Sequence, residues 1–474
     1  MDCLPGWQYF NKKDAAFTEL QYANCRTLIR RDRNHACVLL WEVSLNETEM
    51  PPEFIARTQA LAHEELPGDQ TFTCGWSRGY DVFIQARQHG GCVGVTDVPC
   101  LVSEYGDWEY YAQNAGLNQT AWASLAPDDA NSRQLRWHGE ARMLQQATNF
   151  QEAHNDNRKT TAFADGLWVM YDYNRGYAPD IESSGCADIW RVPKFSYHFF
   201  RSQRPASERY ANASAGPMVF IASHWTPASS LRVRVFSNAE EVALLLNGRV
   251  VGRQKPDTDR LSTHLAHPPF TFAVPAFAAG ELRAVGYIGG REVASHVVRT
   301  PGAPRALTLR LDEAGQRFAL RGKDAVFAHA SLVDADGTLV INAWKTVGFG
   351  VTGAAQLIGA NPYSSEAGIA SIVLQAERAR AMAAVYAVTC VVEGDVTHVL
   401  AASCPAGAAP RAYALHVTTD GSAPTAVSPR YSKPISATHG VRAALVVDGR
   451  VIASASTDAP RFRVAGSTAP TKSG

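Results

Sequence analysis

The sequence has no surplus of either charge. Lys+Arg and Asp+Glu both number 45 in 474 residues, so the formal net charge is zero. That excludes the basic footprint of a nucleic-acid-binding surface. It also lacks an apolar run long enough to span a bilayer, so no membrane helix is expected. The opening Met-Asp-Cys-Leu-Pro-Gly-Trp has neither the basic region nor the apolar stretch of a secretory leader. A cytoplasmic chain, or one whose true N-terminus lies upstream, is expected from that. The nine cysteines are odd in number, scattered, and contain no C-x-x-C pair. This argues against a disulfide framework and against a zinc site. Buried free thiols, packing as small hydrophobes, are expected instead.

What is present is enough apolar residue for real cores, 46% of the chain. At roughly 100–200 residues per domain the length predicts three or four domains. The texture changes near residue 205. Before it, short apolar runs alternate with helical patterns. Ala36 to Leu45 is a near-continuous apolar run, expected as a strand buried on both faces. Pro51 to Glu65 follows with proline at its start and Phe54, Thr58, Leu61 and Ala62 at helical spacing. Strands are predicted at Thr71–Trp76, Tyr80–Ala86, Val98–Glu104 and Gly166–Tyr173, and a long helix within Ser132–Ala153. Strands alternating with helices imply a parallel sheet or an α/β barrel.

Beyond residue 205 the pattern is all-β. Asn247-Gly248, between Glu241–Leu246 and Arg249–Gly252, is a strong hairpin signal. Strands at this spacing suggest immunoglobulin-like sandwiches. The expected division is 1–205, 206–302, 303–400, a small β module at 408–457, and a flexible tail at 458–474.

Two carboxylates stand out by position. Glu47 closes Trp41-Glu-Val-Ser-Leu-Asn-Glu47, and Glu104 ends the strand of Val102-Ser-Glu-Tyr-Gly-Asp-Trp108. Barrel enzymes place catalytic groups at the C-terminal ends of their strands. Cleaving a glycosidic bond needs one carboxylic acid to protonate the leaving oxygen and a second carboxylate to attack or to activate water.

Arg31-Asp-Arg-Asn-His35, then Val38-Leu-Leu-Trp41, then Asn46-Glu47, resembles the acid/base signature of glycoside hydrolase family 2, in its β-galactosidase-like subgroup. Ala36 and Glu42 depart from the commonest form of that signature. The resemblance implies a partial (β/α)8 TIM barrel followed by immunoglobulin-like β-sandwich domains. It implies Glu47 as general acid/base, Glu104 as nucleophile, and Asn46 at the sugar 2-hydroxyl. Trp168, Trp7, Tyr105, Asp172 and Asn174 are carried over as substrate-site residues. Val417 to Thr425 resembles a small module of chitobiases and other secreted glycosidases.

The expected activity is hydrolysis of β-galactosides or related β-glycosides by double displacement, with a carbohydrate as partner. The other reading is a non-catalytic carbohydrate-binding or adhesion protein built on the β domains. No cofactor is required. A divalent cation is compatible with the family, with no ligands assigned here. A full-length parent is expected to be periplasmic or secreted and could form a homo-oligomer. Because the match starts near the end of a third barrel strand, the chain is expected to be an incomplete fragment and a poor enzyme alone.

Overall fold

A computed structural model describes residues 13–44, 50–86, 92–105, 134–174, 181–209, 215–313, 324–377 and 382–458. The first region holds five parallel strands in chain order: β1 (Trp41–Glu42), β2 (Thr73–Gly75), β3 (Val82–Ala86), β4 (Cys100–Tyr105) and β5 (Ala162–Leu167). Helices α1 (Ala15–Asp32), α2 (Pro52–Glu65), α3 (Glu140–Asn157) and α4 (Phe195–Ser202) accompany them.

Helix α2 forms where its spacing predicts. Pro52 sits in the first turn, and Phe54, Thr58, Leu61 and Ala62 are all buried. The predicted Ala36 strand shrinks to two residues, and among the described residues β1 pairs only with β2. The last predicted strand shifts upstream to Ala162–Leu167. Trp168 to Tyr173 leaves the sheet and makes only isolated bridges, through Tyr171 and Tyr173, to Ala187 and Glu182. The predicted Ser132–Ala153 helix begins later, at Glu140. Gly139 interrupts it at φ +95°, after a single 3-10 turn at Arg136–His138.

The cysteine expectation needs correction. Cys92 and Cys100 form a disulfide with Cα atoms 5.9 Å apart. The segment 92–99 turns back so that Cys92 lies beside Cys100 at the start of β4, a proximity that spacing alone does not reveal. Cys25, Cys74, Cys186 and Cys390 are buried free thiols, Cys404 is half-buried, and Cys37 is exposed.

The second region is a sandwich of two antiparallel sheets. Its strands are β6 (Val219–Ile221), β7 (Arg232–Ser237), β8 (Glu241–Leu246), β9 (Arg249–Gln254), β10 (Phe270–Ala273), β11 (Glu281–Ile288) and β12 (Arg291–Arg299). The sheets run β10-β7-β6 and β12-β11-β8-β9 around one core that includes Ile221, Val235, Leu244 and Leu282. Asn247 and Gly248 both have positive φ, as the two-residue turn between β8 and β9 requires.

The third region repeats the scheme with β13 (Ala306–Asp312), β14 (Ala325–Val333), β15 (Thr346–Gly353), β16 (Ala355–Ile358), β17 (Tyr363–Ser364), β18 (Ile369–Ala376), β19 (Ala383–Glu393) and β20 (Val396–Ala406). Its sheets are β13-β14-β18-β16 and β17-β15-β19-β20. A last three-stranded sheet, β21 (Tyr413–Thr418), β22 (Arg442–Val447) and β23 (Arg450–Ser456), packs on the outside of β15 and β19. This explains why nine consecutive residues of β19 are buried. Val385 and Ala387 face the sandwich core, while Ala384, Tyr386 and Val388 face Leu445 and Val447. Gly348 and Gly350 let β23 approach: a Cβ on Gly350 would stand 2.6 Å from the Ile452 carbonyl oxygen.

Candidate active site

In a parallel sheet all C-terminal strand ends lie along one edge, and here that edge carries Glu42, Glu104 and, just beyond β5, Trp168. The two sides of the sheet differ. Trp41, Val43, Cys100, Val102 and Tyr105 pack toward the helices. Leu40, Cys74, Val82, Ile84 and Leu101 cluster on the opposite side.

Strict alternation would put Glu104 on the helix side with Cys100 and Val102. It does not go there. Gln85 pairs with Val102, and the next residue, Ala86, pairs with Glu104, so Ser103 is an extra residue in β4. The pairing with β5 slips by one residue over the same stretch. This bulge breaks the alternation. Tyr105 then takes the helix side, and alternation from it assigns half-buried Glu104 to the side of Leu101. Gly166 accommodates the kink, because a Cβ there would lie 2.5 Å from the Ser103 carbonyl oxygen.

By the same alternation Glu42, next to helix-facing Trp41, shares the side of Glu104. The sequence reading passed over Glu42 as a mere departure from a motif. The signal was available in its position, one residue after a buried tryptophan.

Tyr105 is corrected from a substrate-site residue to a packed one. It is buried, and its hydroxyl lies 3.4 Å from His154 Nδ1. His154 Nδ1 in turn lies 2.7 Å from Asp165 Oδ2. Burial, with the nearby Asp165 carboxylate second, pushes the Tyr105 phenol well above its ordinary value. His154 and Asp165, absent from the sequence reading, thus support β4 and β5 from behind.

Asp172 also has a different task from sugar contact. Both it and Lys194 have fully buried side chains, 2.7 Å apart, and the Gly185 N–H donates to the same Asp172 oxygen at 2.9 Å. Burial raises the Asp172 carboxyl well above the usual range, and the Lys194 ammonium opposes that shift. Trp168 does lie open at the edge, and its indole N–H donates to the Tyr173 hydroxyl at 3.2 Å. Asn174 is exposed nearby. Glu47, Asn46 and Trp7 lie outside the described residues. Among the described residues no group of three or more His, Cys, Asp or Glu is placed to hold a metal ion, and no helix is long and apolar enough to cross a membrane.

The start of α3 ties this edge to both sandwiches. Arg136 donates to Asp188 at 2.7 Å and to the Glu366 carbonyl at 2.9 Å. Glu140, in the first turn, accepts from the Ser223 and Ser229 hydroxyls and from the His224 N–H. A cavity of about 240 Å³ lies at this junction, lined in part by His198, His224 and His296.

Residues 229–294 match a domain of unknown function (DUF4982). The chain is 29% identical over 400 residues to a β-galactosidase of Thermoanaerobacter pseudethanolicus, which covers 79% of this chain and 50% of that protein. It is 23% identical over 373 residues to a β-glucuronidase of Formosa agariphila, covering 74% of this chain and 35% of the relative. The fold resembles a glycoside hydrolase family 2 β-glucuronidase, with a TM-score of 0.61 at 18% identity, over 87% of this chain and 42% of the other. A β-glycosidase from Bacteroides vulgatus gives 0.59 at 17% identity, over 84% and 55%. The chain spans about half the length, or less, of these curated relatives. In sequence the chain is thus similar to β-galactosidases and β-glucuronidases, and in fold it is similar to glycoside hydrolase family 2 enzymes.

Proposed function

We propose that the five parallel strands are part of a (β/α)8 barrel in a retaining β-glycosidase acting on β-galactosides or related β-glycosides. The sandwiches that follow are read as its immunoglobulin-like domains. The observation that carries the proposal is the Ser103 bulge, which takes Glu104 off the helix-packed face at the C-terminal end of a parallel strand. A carboxylate there is where barrel chemistry is done.

In this reading Glu104 attacks the anomeric carbon while Glu47, from the segment following β1, protonates the leaving oxygen. Water then enters, with Glu47 as base. Two strands lie between β1 and β4, so a flat sheet would separate them by about 14 Å. Barrel curvature is what lets side chains from both reach one bond. Trp168 and Asn174 remain sugar-contact candidates on this edge, and Asn46 is a further candidate from its sequence motif. The β-galactosidase and β-glucuronidase names of the relatives support the substrate class.

The test is labelling with a mechanism-based fluorosugar followed by peptide mapping. Label is expected on Glu104, and Glu104→Gln should lower kcat on aryl β-glycosides by at least about 10³-fold, as loss of a covalent nucleophile does. Label on another residue, or full turnover by Glu104→Gln, would remove the assignment.

A further inference from the structure

Indoles carry some of the largest apolar surfaces of any side chain, so an open one calls for a reason. Among the described tryptophans only Trp168 and Trp344 are exposed, at 37% and 40%. Trp168 belongs to the site above. Trp344 lies in the third region, between β14 and β15, yet the fold brings it to the same end of the parallel sheet.

Helix α3 is the reason. Its 18 residues extend roughly 27 Å, and after its last residue only a short turn leads into β5. It therefore runs antiparallel to the strands, and its start projects past their C-terminal ends. Trp137, in the turn before α3, stands at that height. Trp344 meets it with ring centroids 5.5 Å apart and planes at 79°. His138 packs on Trp137 with centroids 4.0 Å apart.

The two regions are joined here by further contacts besides the one between Trp344 and Trp137. Arg136 bonds the Glu366 carbonyl, the Trp137 N–H donates to Glu366 Oε1 at 3.4 Å, and Trp190 packs edge-on against Tyr363 and Phe327. Exposed Asn342 and half-buried Lys345 flank Trp344. The result is an open apolar plane with hydrogen-bonding groups beside it. A pyranose ring has the complementary form, a face of C–H bonds rimmed by hydroxyls.

We infer that Trp344 and Trp137 form an aromatic platform for a distal sugar unit of an extended β-linked oligosaccharide, remote from the bond cut at Glu104. The inference rests on the glycosidase reading for its ligand class. It makes the third region part of substrate recognition.

The experiment is calorimetric titration of the full chain with galactose and with β-linked galacto-, gluco- and glucuronosyl oligosaccharides of two to six units. Longer sugars are expected to bind, and Trp344→Ala to weaken them about tenfold, equivalent to about 1.4 kcal/mol. Trp344→Phe, which keeps a ring, should lose about threefold or less, and neither variant should alter the binding of galactose. Absence of binding by the wild-type chain, or equal affinities in wild type and Trp344→Ala, overturns the platform. The site of fluorosugar labelling reports separately on the other reading: label on a residue other than Glu104 with Trp344-dependent binding retains the platform and removes the Glu104 assignment, and label on Glu104 with Trp344-independent binding does the reverse.

Discussion

The third region touches its neighbours through two unlike seams. Toward the parallel sheet the seam mixes polar and aromatic contacts: Arg136, held by Asp188, donates to the Glu366 carbonyl, and Trp190 packs edge-on against Tyr363 and Phe327, next to the buried Lys194–Asp172 pair. Toward the last three strands the seam is dry, with Tyr386, Val388 and Cys390 against Leu445, Val447 and Ala453, and glycines that let backbones touch. A polar seam is directional and is lost when one partner is removed. A dry seam depends on volume and tolerates changes that conserve it.

The largest expected effect breaks the ion pair beside this seam, within the first region. Lys194→Met leaves Asp172 buried without its cation and should cost about 3–5 kcal/mol in denaturant unfolding. Adding Asp172→Leu should recover most of that loss. If the double variant is no more stable than the single one, charge pairing is not what holds this corner of the first region.

On the dry side the corresponding lesion is one methyl group. Gly348→Ala directs a Cβ at the Ser454 carbonyl, which cannot step aside. Overpacking of this kind should cost about 1–3 kcal/mol, and amide exchange in β23 should quicken more than in β13. Uniform quickening would mean that the last sheet is not a separable layer.

A last test sharpens the contrast by pH. Burial holds His198 at about 3 and His224 at about 4, against an ordinary value of 6.5. Both are therefore neutral in the folded chain, while the unfolded chain gains protons below pH 6.5. Their contribution is complete above 6.5 and is lost as pH falls toward 4. Between pH 6.5 and 5 the loss should be roughly 2 kcal/mol for each histidine. His224→Phe should flatten the curve by its share. After correction for intrinsic rates, protection in α3 and α4 should fall on acidification while β19 and β23 keep theirs.

Legibility in the sequence followed the range of the interactions involved. Helix α2 and the Asn247-Gly248 hairpin could be read because proline position, spacing and turn chemistry are local. Helix α1 could not: it is mostly polar and buries only Gln21, Cys25, Ile29 and Asp32, too thin a stripe to register. Glu104 at a strand end was legible as a position. Its direction was not, because a bulge exists only relative to neighbouring strands. Asp172 looked like a sugar ligand until the fold brought up Lys194, 22 residues later. The Cys92–Cys100 bridge was hidden likewise, since nine scattered cysteines say nothing of which two a turn will bring together.

The extra residue in β4 makes the side that Glu104 takes a matter of counting. Substituting Ser103 with another residue keeps the count and leaves the carboxylate on its side of the sheet. Deleting it would leave Val102, Glu104 and Tyr105 in plain alternation on the sides they already occupy, whereas keeping it and pairing Cys100–Tyr105 without the bulge would carry Glu104 round to the helices. What fixes the side of the carboxylate is therefore the pairing of β4 with β3 and β5 that holds one residue out of register, and not the identity of Ser103.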